Sequence, residues 1–322
     1  MDSATIVGLL MCKNESGGCM IYDSVKTTVK TCLILFLLLL FSISCSQNSE
    51  ELNQSKQKYP NVSLFSTETR ILHSDIVDED FELYISLPYG YSTSDTSYPV
   101  LFSLDANRNY GIVNNMVNIL SFPLNEIPSL VVVGVGYPMQ GLEDWVVGRG
   151  RDFTSTINTE TEDYWQSMYD IEIKTGGAAK FMEFLCNELI PFIESNYRVS
   201  DSDRSLFGYS ANGRFALYTL FHRPEKFKRY FAGSPSISGD NEILFNYEEE
   251  YAANHTDLPV RLFMSVGNLE SPWMINNMKK MSEQLLLRNY PNFELETHIF
   301  ENETHESCYA ASRSRALKVL YN

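Results

Sequence analysis

Ser210 lies in Leu206-Phe207-Gly208-Tyr209-Ser210-Ala211-Asn212-Gly213-Arg214-Phe215-Ala216. An apolar run closes at Phe207 and an amphipathic run opens at Arg214, so the serine falls at a tight strand-to-helix turn. Such a nucleophile elbow lifts the hydroxyl clear of the sheet and aims a helix N-terminus, with its free N–H groups, at whatever the serine attacks. The usual pattern is G-x-S-x-G. Here Asn212 holds the last glycine position and a glycine follows at Gly213. Taken alone, Gly208-Tyr209-Ser210 fits a helix-capping serine equally well. A general base and an acid have to be found elsewhere in the chain.

For an elbow serine the partners follow in the order acid, then histidine, each just beyond the carboxyl end of a strand. His255 lies in a polar loop before a strand, and His298 lies inside the alternating segment 293–301. His305 lies in the turn directly after that segment, the place for a general base. The acid then follows the preceding strand, 261–266, where Glu270 is the first carboxylate. There it would fix the imidazole tautomer and stabilise imidazolium; otherwise it is a solvated loop residue. The oxyanion needs two backbone N–H groups. Ala211 supplies one, and Ala106 or Asn107, after the apolar run 98–104, supplies the other. Asp105 reads as a brace for that loop.

The elements that must position these residues alternate. Segments 66–73 and 80–87 alternate like a hairpin, while 98–104 and 130–136 are continuous apolar runs of strands buried on both faces. Helices are expected over 110–120, 177–196 with a kink at Pro191, 214–221, 273–289 and 307–321. Further strands are expected at 230–233, 259–266 and 293–301. The stretch 137–175 shows no clear periodicity and reads as a long loop, the kind that is usually functional. Strands alternating with helices predict an α/β fold with a mainly parallel sheet, in one catalytic domain over 61–322.

The chain has 322 residues, 44% hydrophobic, with a net charge of −16, enough for one sizeable core and contrary to a nucleic-acid or anionic-membrane surface. Residues 1–45 read as a separate leader. Lys26 and Lys30 precede the apolar run 33–41, and Ser42-Ile43-Ser44-Cys45 follows. That is a secretory signal too short for a comfortable span. Cys45 after Ser44 matches a lipoprotein cut site, although Ser42 stands where leucine is usual. A plain cleaved signal and an uncleaved anchor are the alternatives. Met20 is an alternative start to Met1, and 46–60 reads as a polar tether. Cys186 and Cys308 are the only cysteines beyond the leader, which gives no disulfide framework and no metal or redox motif.

Together these pieces resemble the esterase D-like group of α/β-hydrolases, which includes enterochelin- and bacillibactin-type siderophore esterases. The matching segments are 98–101 running into Leu104-Asp105, then 133–138, Arg151-Asp152-Phe153-Thr154, Gly208-Tyr209-Ser210, 231–235, 266–270, and His305 with Ser307. The resemblance spans about 65–320. It implies an α/β-hydrolase fold and serine ester hydrolysis without metal or organic cofactor, with Ser210 as nucleophile, His305 as base and Glu270 as the softer assignment. Two departures carry expectations: Asn212 should widen the strand–helix crossing, and Ala106, where glycine is usual, should limit how closely substrate approaches. Arg149 and Arg151 would lie near the site's mouth and could hold an anionic acyl group bidentately; alternatively Arg151 and Asp152 brace the loop. Tyr110, Trp145 and Trp273 are pocket-lining candidates. The expectation is a serine carboxylesterase of the cell envelope, tethered by lipid alone and acting on a small ester. Carbohydrate acetyl or feruloyl esterase and a non-catalytic binding lipoprotein are the alternatives.

Overall fold

In the computed structural model, which describes residues 63–322, eight strands pair in the order β1-β2-β4-β3-β5-β6-β7-β8. They are β1 (Thr67–Ser74), β2 (Glu79–Ser86), β3 (Tyr98–Leu104), β4 (Val131–Gly136), β5 (Val199–Tyr209), β6 (Arg229–Gly233), β7 (Arg261–Gly267) and β8 (Glu294–Phe300). β1 and β2 are antiparallel to each other, and β2 runs antiparallel to β4. Every later pairing is parallel. The α/β-hydrolase class expected from the sequence is therefore present. The leader at 1–45, Cys45 and the whole tether at 46–60 lie outside the described residues, and Ser63–Asn322 forms one unit.

Strands β3, β4, β6 and β7 are buried over nearly their whole length, and β5 is buried from Ser205 to Tyr209, because both faces of the sheet are covered there. One layer holds Phe81, Phe102, Phe181, Phe184 and Phe215; the other holds Leu101, Val132, Phe207, Phe231 and Phe263. The helices that cover the sheet also point its strand ends at the site. Helix α1 (Ala106–Ser121) leaves β3, and α6 (Ala211–His222) leaves β5. Phe215 of α6 sits against Phe153 and Phe181, with ring centroids 5.8 and 5.0 Å away, which anchors the helix behind the serine. A fully buried phenylalanine of this kind is worth about 3–5 kcal/mol against alanine.

Three helical expectations change. Helix α1 begins at Ala106, four residues before Tyr110, because Asp105 turns the chain in the left-handed region (φ 64, ψ 37) and the helix starts at once. The stretch 137–175 is not one loop: it carries α2 (Leu142–Asp152) and α3 (Thr159–Tyr169). Helix α3 has no fully buried residue, so it shows no apolar stripe; half-buried Trp165 packs on the core, and at the cap Asn158 Oδ1 accepts from Thr161 N at 2.8 Å. The expected kink at Pro191 is a π turn, Leu185–Leu189, between α4 (Ala178–Phe184) and α5 (Ile190–Asn196). The wider turn absorbs the missing proline N–H and the ring's clash with the preceding turn. Helix α7 (Leu244–Asn254) follows β6, and α8 (Pro272–Arg288) and α9 (Cys308–Tyr321) complete the layers.

Candidate active site

The elbow forms where β5 passes into α6. Ser210 adopts φ 63, ψ −120, a strained conformation for a non-glycine residue that projects its side chain from the turn. The crossing stays tight. A Cβ on Gly208 would lie 2.0 Å from the Asn212 carbonyl oxygen, and one on Gly213 would lie 2.9 Å from the Gly233 carbonyl oxygen. The close approach usually assigned to the motif's last glycine is thus made by Gly213, so Asn212 does not widen the crossing as expected. Its side chain turns away, with Oδ1 accepting from Tyr209 N–H and Nδ2 donating to Asp105 Oδ2 at 2.9 Å.

Glu270 and His305 come together because β7 and β8 are neighbours and their following loops open at the same end. His305 Nδ1 lies 2.7 Å from Glu270 Oε2. The other carboxylate oxygen accepts from Ser234 Oγ at 2.6 Å and Gly267 N at 2.8 Å. Burial alone would push the Glu270 carboxyl up, but the bonds from His305, Ser234 and Gly267 outweigh it and hold the group below the usual range. An ionised acceptor at Oε2 fixes the proton on Nδ1 and leaves Nε2 as the basic nitrogen. Behind them, Tyr209 Oη donates to the His305 carbonyl at 2.6 Å, and Ser234 Oγ sits 2.8 Å from the same phenol.

Ser210 and His305 line one cavity of about 310 Å³, together with Asp105, Arg108, Trp145, Arg149, Tyr209 and Tyr309. Two guanidinium groups flank the Trp145 ring, Arg149 at 4.4 Å and Arg108 at 5.0 Å from its centroid. The indole N–H donates to Asp105 Oδ1 at 2.6 Å, and Arg149 pairs with Asp105 Oδ2 at 2.9 Å. Burial pushes the Asp105 carboxyl up, opposed by Arg149 and the Trp145 N–H. As a buried brace Asp105 does what the sequence suggested.

Ala211 and Ala106 are the first residues of α6 and α1, where N–H groups have no intrahelical acceptor. Other expected site residues are placed elsewhere. Arg151 reaches Asp152 and Glu79 and ties α2 to β2, because its guanidinium is held on the sheet side of that helix. Arg108, in the first turn of α1 and marked by no motif in the sequence, is the second cation beside Arg149. Tyr110 packs on Tyr84, ring centroids 5.4 Å apart, and lines a separate depression with Leu64 and Tyr84. Trp273 opens α8 at 53% exposure and does not line the cavity. The Asn107 side chain clasps Tyr137, its Nδ2 2.8 Å from the carbonyl and its Oδ1 2.8 Å from the amide nitrogen, so only its backbone N–H remains for an oxyanion. The Ala106 methyl is buried toward β4: a Cβ on Gly134 would lie 2.8 Å from it, so it does not restrict the cavity.

His298 stays within β8 opposite Ser265, His255 follows α7, and His222 closes α6 with Nδ1 2.8 Å from the Tyr218 carbonyl. Among the described residues no three His, Cys, Asp or Glu side chains are grouped to hold a metal ion, and no helix is long and apolar enough to cross a membrane.

The family model described as "Putative esterase" matches residues 74–294. The chain is 29% identical over 261 residues to the ferri-bacillibactin esterase BesA of Bacillus subtilis, covering 78% of this chain and 88% of that one. Over 201 residues it is 27% identical to the siderophore triacetylfusarinine C esterase of Aspergillus fumigatus, covering 60% and 64%. The BES protein of Bacillus cereus superposes with a TM-score of 0.72 at 28% identity, over 82% of this chain and 99% of that one.

Proposed function

This chain belongs to the esterase family its sequence matches and is a carboxylic-ester hydrolase, and from that premise we propose that Ser210, His305 and Glu270 carry the reaction on an anionic siderophore ester. The observation that carries the assignment is the 2.7 Å contact between Glu270 Oε2 and His305 Nδ1 at the edge of a cavity that also exposes Ser210. Ser210 Oγ attacks the ester carbonyl carbon as His305 Nε2 takes its proton. The oxyanion is held by the Ala211 N–H and by an N–H of Ala106 or Asn107. His305 then protonates the departing alkoxide, the C–O bond breaks and an acyl-serine remains. Water, deprotonated by His305, releases the acid and restores the serine.

Two features support the substrate class. The protein is strongly acidic, at −16, yet Arg108 and Arg149 present positive charge around an aromatic face in the cavity. A cavity near 310 Å³ is at the lower end for ligand sites, so it takes one aromatic ester arm while the rest of a large ligand stays outside. Relatives described as siderophore esterases point the same way. The test is a substrate panel: a ferric triscatecholate trilactone, a feruloylated sugar and p-nitrophenyl acetate. We expect the trilactone to give the highest kcat/KM. Turnover of the sugar ester with an intact trilactone would overturn the substrate assignment.

The proposal includes placement at the cell envelope. Lys26, Lys30, the apolar run 33–41 and Ser44-Cys45 support a lipid-tethered enzyme.

A further inference from the structure

The ladder between β3 and β5 ends at the pair Ser103 and Phe207. The backbone donors proposed for the oxyanion lie beyond it, on Ala211 and at the start of α1, where the two chains have left the sheet for different helices. Something other than strand pairing must hold those donors in register. Asn212 is 1% exposed, and its side chain spans the gap. Oδ1 accepts from Tyr209 N–H within the elbow, and Nδ2 donates to Asp105 Oδ2, 2.9 Å away on the residue that opens α1. Asp105 is itself fixed by Trp145 Nε1 and by Arg149.

We propose that Asn212 and Asp105 form a positioning clip that registers the two oxyanion donors against each other, a task the glycine of the usual elbow motif has no side chain to perform. The clip rests on the Ser210 hydrolase assignment above. Neither side chain touches the reacting atoms; both act through the backbone of the loops they join. The same contact couples the cationic wall of the cavity to the elbow, because Asp105 also holds Arg149.

The test uses the full chain, with p-nitrophenyl acetate kinetics, the rate of fluorophosphonate labelling at Ser210 and the melting temperature measured side by side. Asn212→Gly removes the clip with the residue the motif normally carries, and the fold tolerates it at a turn that already crosses tightly at Gly213. Displacing a donor by an ångström costs up to about 10²-fold, so kcat and labelling rate fall about 10- to 100-fold while KM stays within about threefold. Asn212→Asp falls further, because two carboxylates then face each other without a donor. Combining Asn212→Asp with Asp105→Asn exchanges amide and carboxylate, restores a donor–acceptor pair and recovers about tenfold over Asn212→Asp alone. A purely structural role would move the melting temperature and leave kcat per folded molecule unchanged. Folded Asn212→Gly with kcat within about threefold of the parent, or an exchange no better than Asn212→Asp, would overturn the clip. Labelling of the parent at Ser210, lost in Ser210→Ala, checks the hydrolase assignment separately.

Discussion

Replacing Glu270 by glutamine changes one atom of the carboxylate and reverses the polarity of its contact with His305. In the parent, Oε1 accepts from Ser234 Oγ and Gly267 N, and Oε2 accepts from His305 Nδ1. A glutamine keeps its carbonyl oxygen on the first two donors, so its NH₂ must face Nδ1. To accept from that group, Nδ1 gives up its proton and Nε2 takes it, leaving no basic nitrogen for Ser210. The imidazolium formed in the transition state also loses its counter-charge. A tautomer error of this kind costs about 10⁴ in turnover, or about 5.5 kcal/mol of barrier. Packing is nearly unchanged, since the replacement is isosteric in a buried site. The assay is kcat for p-nitrophenyl acetate, with a thermal melt to confirm folding. A second signature follows from the lowered Glu270 pKa. Stability from that carboxylate is fully present above the unfolded value of about 4.3 and is lost as pH falls through the folded value. The difference in melting temperature between parent and Glu270→Gln should therefore be largest near neutrality and shrink in acid. A kcat within about threefold of the parent, under 1 kcal/mol of barrier, would refute the reasoning and leave a Ser210–His305 pair.

Ser210→Ala should lower turnover by about 10⁶ with an unchanged melt, and near-parent turnover would dismiss the acyl-enzyme route. His305→Ala should be equally inactive while folded His298→Gln stays active, since His298 is held within β8; kcat of the two decides it. Arg108 is exposed, so Arg108→Ala should raise KM for the triscatecholate ester about tenfold, the loss of one charge-assisted contact, and leave the neutral acetate ester alone. A parallel change for both esters would count against anion recognition. Cys45→Ala should abolish lipid labelling and membrane recovery of the full chain; unlabelled parent protein would instead indicate a cleaved signal.

The pieces of the site that could be read from sequence share one property: each lies within a few residues of the end of an apolar run. Ser210 follows β5, Glu270 follows β7 and His305 follows β8. Strand ends are local features, and a parallel sheet delivers them to one edge, so chain order was enough to pair Glu270 with His305. Arg108 was hidden by a boundary. With α1 started at Tyr110, it fell in a loop; starting the helix at Ala106 puts it on the first turn, beside Asp105. Helices α2 and α3 were hidden because neither shows the apolar stripe by which a helix is recognised. Helix α2 buries Trp145, Val146, Gly148 and Asp152, a mixture of polar and apolar groups, and α3 buries none. Their capping signals at Asp144 and Asn158 were the available clue.

Asn212 shows why the remainder is out of reach of local reading. Judged by the elbow motif alone it is a defect, a side chain where glycine is usual. The backbone crossing that the motif requires is supplied one residue later, by Gly213 against Gly233. That frees position 212 to carry a side chain, and the partner of that side chain, Asp105, lies 107 residues away in sequence. No periodicity or spacing near residue 212 encodes such a pairing. It exists only because β3 and β5 are adjacent in the sheet, which places the two helix starts side by side. A departure from the motif is therefore no argument against catalysis here: the same substitution that breaks the local pattern completes a contact between the two loops on which an oxyanion would depend.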